Sequence, residues 1–67
     1  RIRTWIYLAS IYSQLGRVAE AKKAAKEVYR IAPDFSLEKY RGGLSFQFYD
    51  KEIERRFLDS LQKVGLK

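Results

Sequence analysis

The chain contains no cysteine and no histidine. That excludes a disulfide framework, a thiolate or imidazole metal site, and any nucleophile system of the Cys-His or Ser-His-Asp kind. Ser10, Ser13, Ser36, Ser45 and Ser60 therefore have no imidazole to activate them. Gly42-Gly43 lacks the Lys and Ser or Thr that would follow it in a phosphate-binding loop. No catalytic residue, cofactor or metal ligand is expected, and the chain itself is read as a non-enzyme. Apolar runs as long as a membrane span are also missing, as is the basic, apolar and small-residue order of a signal peptide. A soluble, cytoplasmic protein is the expectation. There is no initiating methionine: the sequence opens on Arg1 and its apolar pattern starts almost at once, so a piece of a longer polypeptide is expected.

What is present fits one small domain of 67 residues, a size at which a single core is only marginally sufficient. The stretch from Trp5 to Pro33 organises the rest. Trp5, Leu8, Ala9, Tyr12 and Leu15 recur at the three-and-four spacing of a helix face, and Val18, Ala21, Ala25 and Val28 repeat it after Gly16. Glycine can adopt the angles that end a helix, and a break this short turns the second helix back antiparallel on the first. Pro33 ends the second helix, because a proline pushes the residue before it out of helical geometry. The first helix carries more apolar side chains than one partner can cover: Ile2, Trp5, Ile6, Leu8, Ala9, Ile11, Tyr12 and Leu15 ring more than half of it. Each one left uncovered forfeits roughly 1.5–3 kcal/mol of burial. A second surface must meet it, either upstream repeats of the same chain or another copy, and a homodimer through Trp5, Ile6 and Tyr7 is expected.

The net charge of +6 is spread along the chain, with the largest share, +3, in residues 17–32. Arg17, Lys22, Lys23, Lys26 and Arg30 fall mostly away from the Ala21, Ala25, Val28 stripe and read as a solvated face. A nucleic-acid or acidic-partner footprint is the alternative, with Tyr29 beside Arg30 as a stacking candidate. Beyond Pro33, Ser36 is placed to cap a short helix over Leu37 to Tyr40, which Gly42-Gly43 breaks. Leu44, Phe46 and Phe48 alternate with polar residues and are expected to form a loop tucked under the helices, with an edge strand as the alternative. From Asp50 a last helix is expected: Asp50 as its cap, Glu52 and Glu54 in the first turn, Lys63 in the last, and Gly65 as the stop. Its stripe of Ile53, Phe57, Leu61 and Val64 should lie against the second helix, with Arg55, Arg56, Asp59 and Gln62 facing water.

The order Trp5, Leu8-Ala9, Tyr12, Gly16, Ala21, Ala25, Val28, Pro33 resembles a single tetratricopeptide repeat over about residues 2–35, whose unit is about 34 residues long. Ala25 departs from it, standing where that family usually has a larger residue. The resemblance implies an all-α fold: residues 1–35 as one helical hairpin, 36–49 as short helix and connecting loop, and 50–67 as a C-terminal capping helix, together a fragment of a right-handed α-solenoid. It further implies a non-catalytic protein-interaction and assembly module at the end of a repeat array, with Arg3, Ile6, Ser10, Ser13 and Gln14 on the groove side of the first helix. Repeats of that family that clamp a peptide carboxylate carry basic and amide side chains along this face. Only Arg3 fits, which argues against such a receptor. The tail, from Pro33-Asp34-Phe35 through Leu61-Gln62-Lys63-Val64-Gly65-Leu66, is similar to the C-terminal ends of bacterial tetratricopeptide proteins. Many of those carry a nucleotide cyclase or DNA-binding regulator domain upstream, so the missing part of a longer chain is expected to hold an enzyme or regulator of that kind.

Overall fold

The computed structural model describes residues 1–42 and 50–67, and the expectations for Leu44, Phe46 and Phe48 lie outside them. The described residues are all-helical, without strands: α1 (Ile2–Gln14), α2 (Val18–Ile31), α3 (Leu37–Gly42) and α4 (Lys51–Lys63). Among them no helix is long and apolar enough to cross a membrane.

The corner between α1 and α2 follows from Gly16. Its φ of +80° places it in the left-handed region, where a glycine pays no side-chain penalty. The Gly16 amide then donates to the Ser13 carbonyl at 3.1 Å and the Arg17 amide to the Tyr12 carbonyl at 2.8 Å. This reciprocal pair is the Schellman arrangement, which satisfies carbonyls that the end of α1 would otherwise leave open. Arg17 is also the cap residue of α2, and its guanidinium lies 5.4 Å from the centre of the Tyr12 ring. The same side chain grips Glu20 through Nε–Oε1 at 2.6 Å and Nη2–Oε2 at 2.8 Å. α2 thus folds back along α1, and Ala9 and Ala21 are both fully buried between them, as small residues at a close crossing should be.

α4 starts as the sequence predicts, with the Asp50 carboxylate accepting the Glu52 amide at 2.8 Å. It ends on a second Schellman pair: Gly65, at φ +105°, donates to the Gln62 carbonyl and Leu66 to the Leu61 carbonyl, at 3.2 and 3.1 Å. Leu61 and Leu66, the two positions whose apolar side chains accompany this motif, are both fully buried in the core cluster. The sequence reading placed α4 against α2, and this is corrected: α4 packs mainly on α1. The reason is the wide apolar girth of α1. The buried residues of α2 are the small Ala21, Ala24, Ala25 and Val28, with Tyr29 half-buried beside them, whereas α1 has a second buried face around Ile6 and Ser10. Tyr7 meets Phe57 with ring centres 6.0 Å apart, and Ser10 meets Ser60. Residue numbers rise together along this contact, so the two helices run parallel.

The remaining core closes the far end. Leu37, Val64 and Leu66 join the buried cluster, and the Leu37 amide donates to the Lys67 carbonyl at 2.6 Å. Tyr29, Phe35 and Tyr40 form a row of ring contacts at 6.1 and 5.9 Å that fixes α3 to the end of α2. The Ser36 hydroxyl accepts the Lys39 amide at 3.2 Å, so the short helix is capped as expected.

Candidate functional site

Two faces of α1 bear on function, and the structure treats them differently. The face read as a groove is Arg3, Ile6, Ser10, Ser13 and Gln14. Ile6 and Ser10 in this set are only 1% and 2% exposed, so neither is open to a partner. Arg3 and Gln14 remain exposed and Ser13 half-buried at its margins. The cover comes from the same chain: α4 meets Ser10 through Ser60, and Ile6 lines a cleft with Phe35 and Tyr40.

The polar centre of that cover has one proton order. Ser60 Oγ lies 2.6 Å from the Phe57 carbonyl, which can only accept, so the single Ser60 proton goes there. Ser10 Oγ, 2.7 Å from Ser60 Oγ, must then be the donor between them. Ser10 in turn accepts from Gln14 Nε2 at 3.0 Å. The relay runs Gln14, Ser10, Ser60, Phe57 carbonyl, and each buried hydroxyl donates once and accepts once. Periodicity alone could not find it, since a serine within a helix is read as a neutral surface residue until its neighbour on another helix is known.

The opposite face has no such cover. Going round α1 from Tyr7 through Ile11, Thr4, Leu15, Leu8 and Tyr12 to Trp5, every residue but Thr4 is apolar or aromatic, and residues 4–16 include no charged side chain. Trp5, Leu8 and Tyr12 are half-buried against α2. Tyr7, Ile11 and Leu15 are 37%, 50% and 65% exposed, and Val18 at the start of α2 is also open. Of the residues expected at a self-contact, Trp5 and Tyr7 therefore border this face and Ile6 does not. Of the cap stripe, Leu61 and Val64 are buried and Phe57 half-buried, but Ile53 is 53% exposed, being one turn ahead of where α4 meets Tyr7.

Some of the charges elsewhere pair with near neighbours along the chain. Glu20, Glu27 and Glu52 pair with Arg17, Arg30 and Arg55 one turn away. The hydrogen bond and charge of Arg55, helped by Arg56, hold the Glu52 carboxyl below its ordinary range. Burial pushes the Tyr40 hydroxyl up, with Tyr7 adding to this and Arg3 opposing it. That hydroxyl is enclosed without a hydrogen-bond partner among the described residues, beside an open cleft of about 350 Å³ between the start of α1 and α3. Lys23, Lys26 and Glu27 surround the edge of Trp5 in a shallow concavity of about 490 Å³. Tyr29 is engaged otherwise: its hydroxyl accepts the Lys67 amide at 3.0 Å. Set beside known proteins, the chain matches no family model, no curated protein and no solved structure.

Proposed function

We propose that the chain is a non-catalytic protein-interaction and assembly module, built like one tetratricopeptide unit with its own capping helix and serving as the end of a helical array in a longer protein. The observation that carries this reading is the uncovered, charge-free side of α1. Covering Ile11 and Leu15, each half or more exposed, is worth ~1–2 kcal/mol apiece at about 25 cal/mol per Å². For a domain this small that is a large fraction of the stability margin. A helical surface of this kind is stabilised by another polypeptide stacking on it, as neighbouring units do in a repeat array. In this reading α4 ends the array by occupying the Ile6 and Ser10 side, while the other side receives the neighbour. The enzyme or regulator that such an array would serve lies outside these residues.

The test is duplication. A second copy of residues 1–35 placed ahead of Arg1 is expected to stack on the open face, giving one cooperative unfolding transition at a higher denaturant midpoint. An unchanged midpoint, or two separate transitions, refutes stacking.

A second reading, nucleic-acid binding, is favoured by the Trp5 concavity with Lys23 and Lys26 at its edge, since an indole beside cations suits a base and its phosphate. It moves the stacking residue from Tyr29 to Trp5. Titration with a labelled single-stranded oligonucleotide at low ionic strength decides it: no binding there ends the reading.

A further inference from the structure

We infer that the cleft between the start of α1 and α3 binds a small organic acid, a single carboxylate on a short apolar body. The inference goes beyond the interaction-module reading and uses a different part of the molecule from the open face of α1. At about 350 Å³ the cleft lies at the small end of the ~300–1,000 Å³ range of ligand pockets. Ile2, Ile6, Phe35 and Tyr40 give it an apolar lining, in which the two aromatic rings are tilted against each other with centres 5.9 Å apart. A short hydrocarbon or a single ring suits such a lining.

Two features of the walls select a carboxylate as the polar end. The first is charge. Arg3 and Lys39 are exposed, neither is in an ion pair among the described residues, and together they outnumber the one anion of the lining, Asp34. One net positive charge suits a monoanion and disfavours a phosphate monoester or a nucleotide. The planar fork of the Arg3 guanidinium also matches the two oxygens of a carboxylate. The second feature is the Tyr40 hydroxyl, a buried group without a hydrogen-bond partner among the described residues, carried by a residue of the cleft wall. A buried polar group in this state costs stability until a partner is seated against it. Arg3 acts on that hydroxyl electrostatically, so the two donors lie within reach of one another's charge, and the two oxygens of one carboxylate suffice for both.

The experiment is titration of the intact chain with hydrocinnamate, followed by amide chemical shifts. The neutral hydrocinnamide, inorganic phosphate and an acetylated peptide ending in Phe are run beside it. Arg3→Gln, Tyr40→Phe and, on α2, Lys22→Gln are the variants, each checked for helix content by circular dichroism. The expected result is saturable binding with a Kd on the order of 1 mM or tighter, with shifts centred on the first turns of α1 and on Phe35 to Tyr40. Binding should weaken about tenfold in Arg3→Gln, severalfold in Tyr40→Phe, and not at all in Lys22→Gln. No saturation overturns the inference, as does equal binding of the neutral amide. An equal response to phosphate overturns it in favour of general anion attraction to a chain of net charge +6. A peptide that binds more tightly than the free acid makes the cleft a receptor for chain ends instead, and binding indifferent to Arg3→Gln or to Tyr40→Phe places the ligand elsewhere. None of these results bears on the open face of α1, so the duplicated hairpin still decides the interaction reading by itself.

Discussion

Ser60→Ala and Ser10→Ala remove the same 2.7 Å contact, yet the relay makes them unequal. Ser60→Ala takes away the acceptor of the Ser10 proton. Ser10 is 2% exposed, so that proton has no water to turn to and can only bend back towards its own helix. A buried donor left in this position costs ~1–2 kcal/mol. Ser10→Ala is milder. Ser60 keeps its bond to the Phe57 carbonyl, the amide of the exposed Gln14 turns to solvent, and the loss is at most about 1 kcal/mol. The double variant leaves no orphaned donor, so Ser60→Ala should cost little in the Ser10→Ala background, a coupling of about 1 kcal/mol. In a domain of this length each kcal/mol moves the thermal midpoint by about 4–8 °C. Urea and thermal unfolding followed by circular dichroism, at one fixed protein concentration, reads all four proteins. Equal single effects that simply add, or a larger loss for Ser10→Ala, would refute the proton order.

The other expectations concern the elements around that contact. Ile6→Ala should cost ~2–5 kcal/mol by opening a cavity at a fully buried site, enough to unfold much of the population, whereas Leu15→Ala should change the stability by less than about 0.5 kcal/mol. Gly16→Ala and Gly65→Ala meet no atoms within 4 Å of the new Cβ, so any loss comes from the backbone alone: roughly 1–2 kcal/mol at Gly16 and more at Gly65, whose φ lies farther from the left-handed helical region, measured by the same unfolding curves. On acidification, the small contribution of the Glu52 pairings, present above the ordinary glutamate pKa, is lost as pH falls through the depressed value; Glu52→Gln should flatten that part of the stability profile. At the alkaline end Tyr40 keeps its proton longer than a free tyrosine. The stability tied to that proton is complete below the ordinary tyrosine pKa and is lost as pH rises through the raised value, and an ultraviolet titration should show one late tyrosine that is absent in Tyr40→Phe.

The local features were legible in the sequence because each is fixed by residues close together. Gly16 and Gly65 as helix stops, Asp50 and Ser36 as caps, and the fold-back of α2 all depend on a few neighbours and on backbone chemistry. The excess apolar girth of α1 was legible too, as was the need for a second cover. Which side of α1 that cover would take was not. Ile6 and Leu15 look alike in the pattern, and only the side of α1 on which the α3 segment and α4 lie separates them into 1% and 65% exposed. Ile6 and Ser10 consequently moved from candidate groove to core. Leu66 reached the core through the Schellman turn at Gly65 rather than through any helical period, so no stripe could include it. The open face was half visible: Tyr7 and Trp5 were expected there, but Ile11 and Leu15 dominate it.

At the corner between α1 and α2, one residue, Arg17, ends the first helix, begins the second, lies over Tyr12 and holds Glu20. All of its contacts reach no farther than five residues along the chain. Closing so short a loop takes about 10–100 ns, whereas the bond from Ser10 to Ser60 joins residues fifty positions apart. Loop-closure entropy thus favours an order of events in which the hairpin assembles before the last helix docks. Damage at the bend would accordingly slow the forward rate, and damage beneath the last helix would shorten the lifetime of the finished molecule.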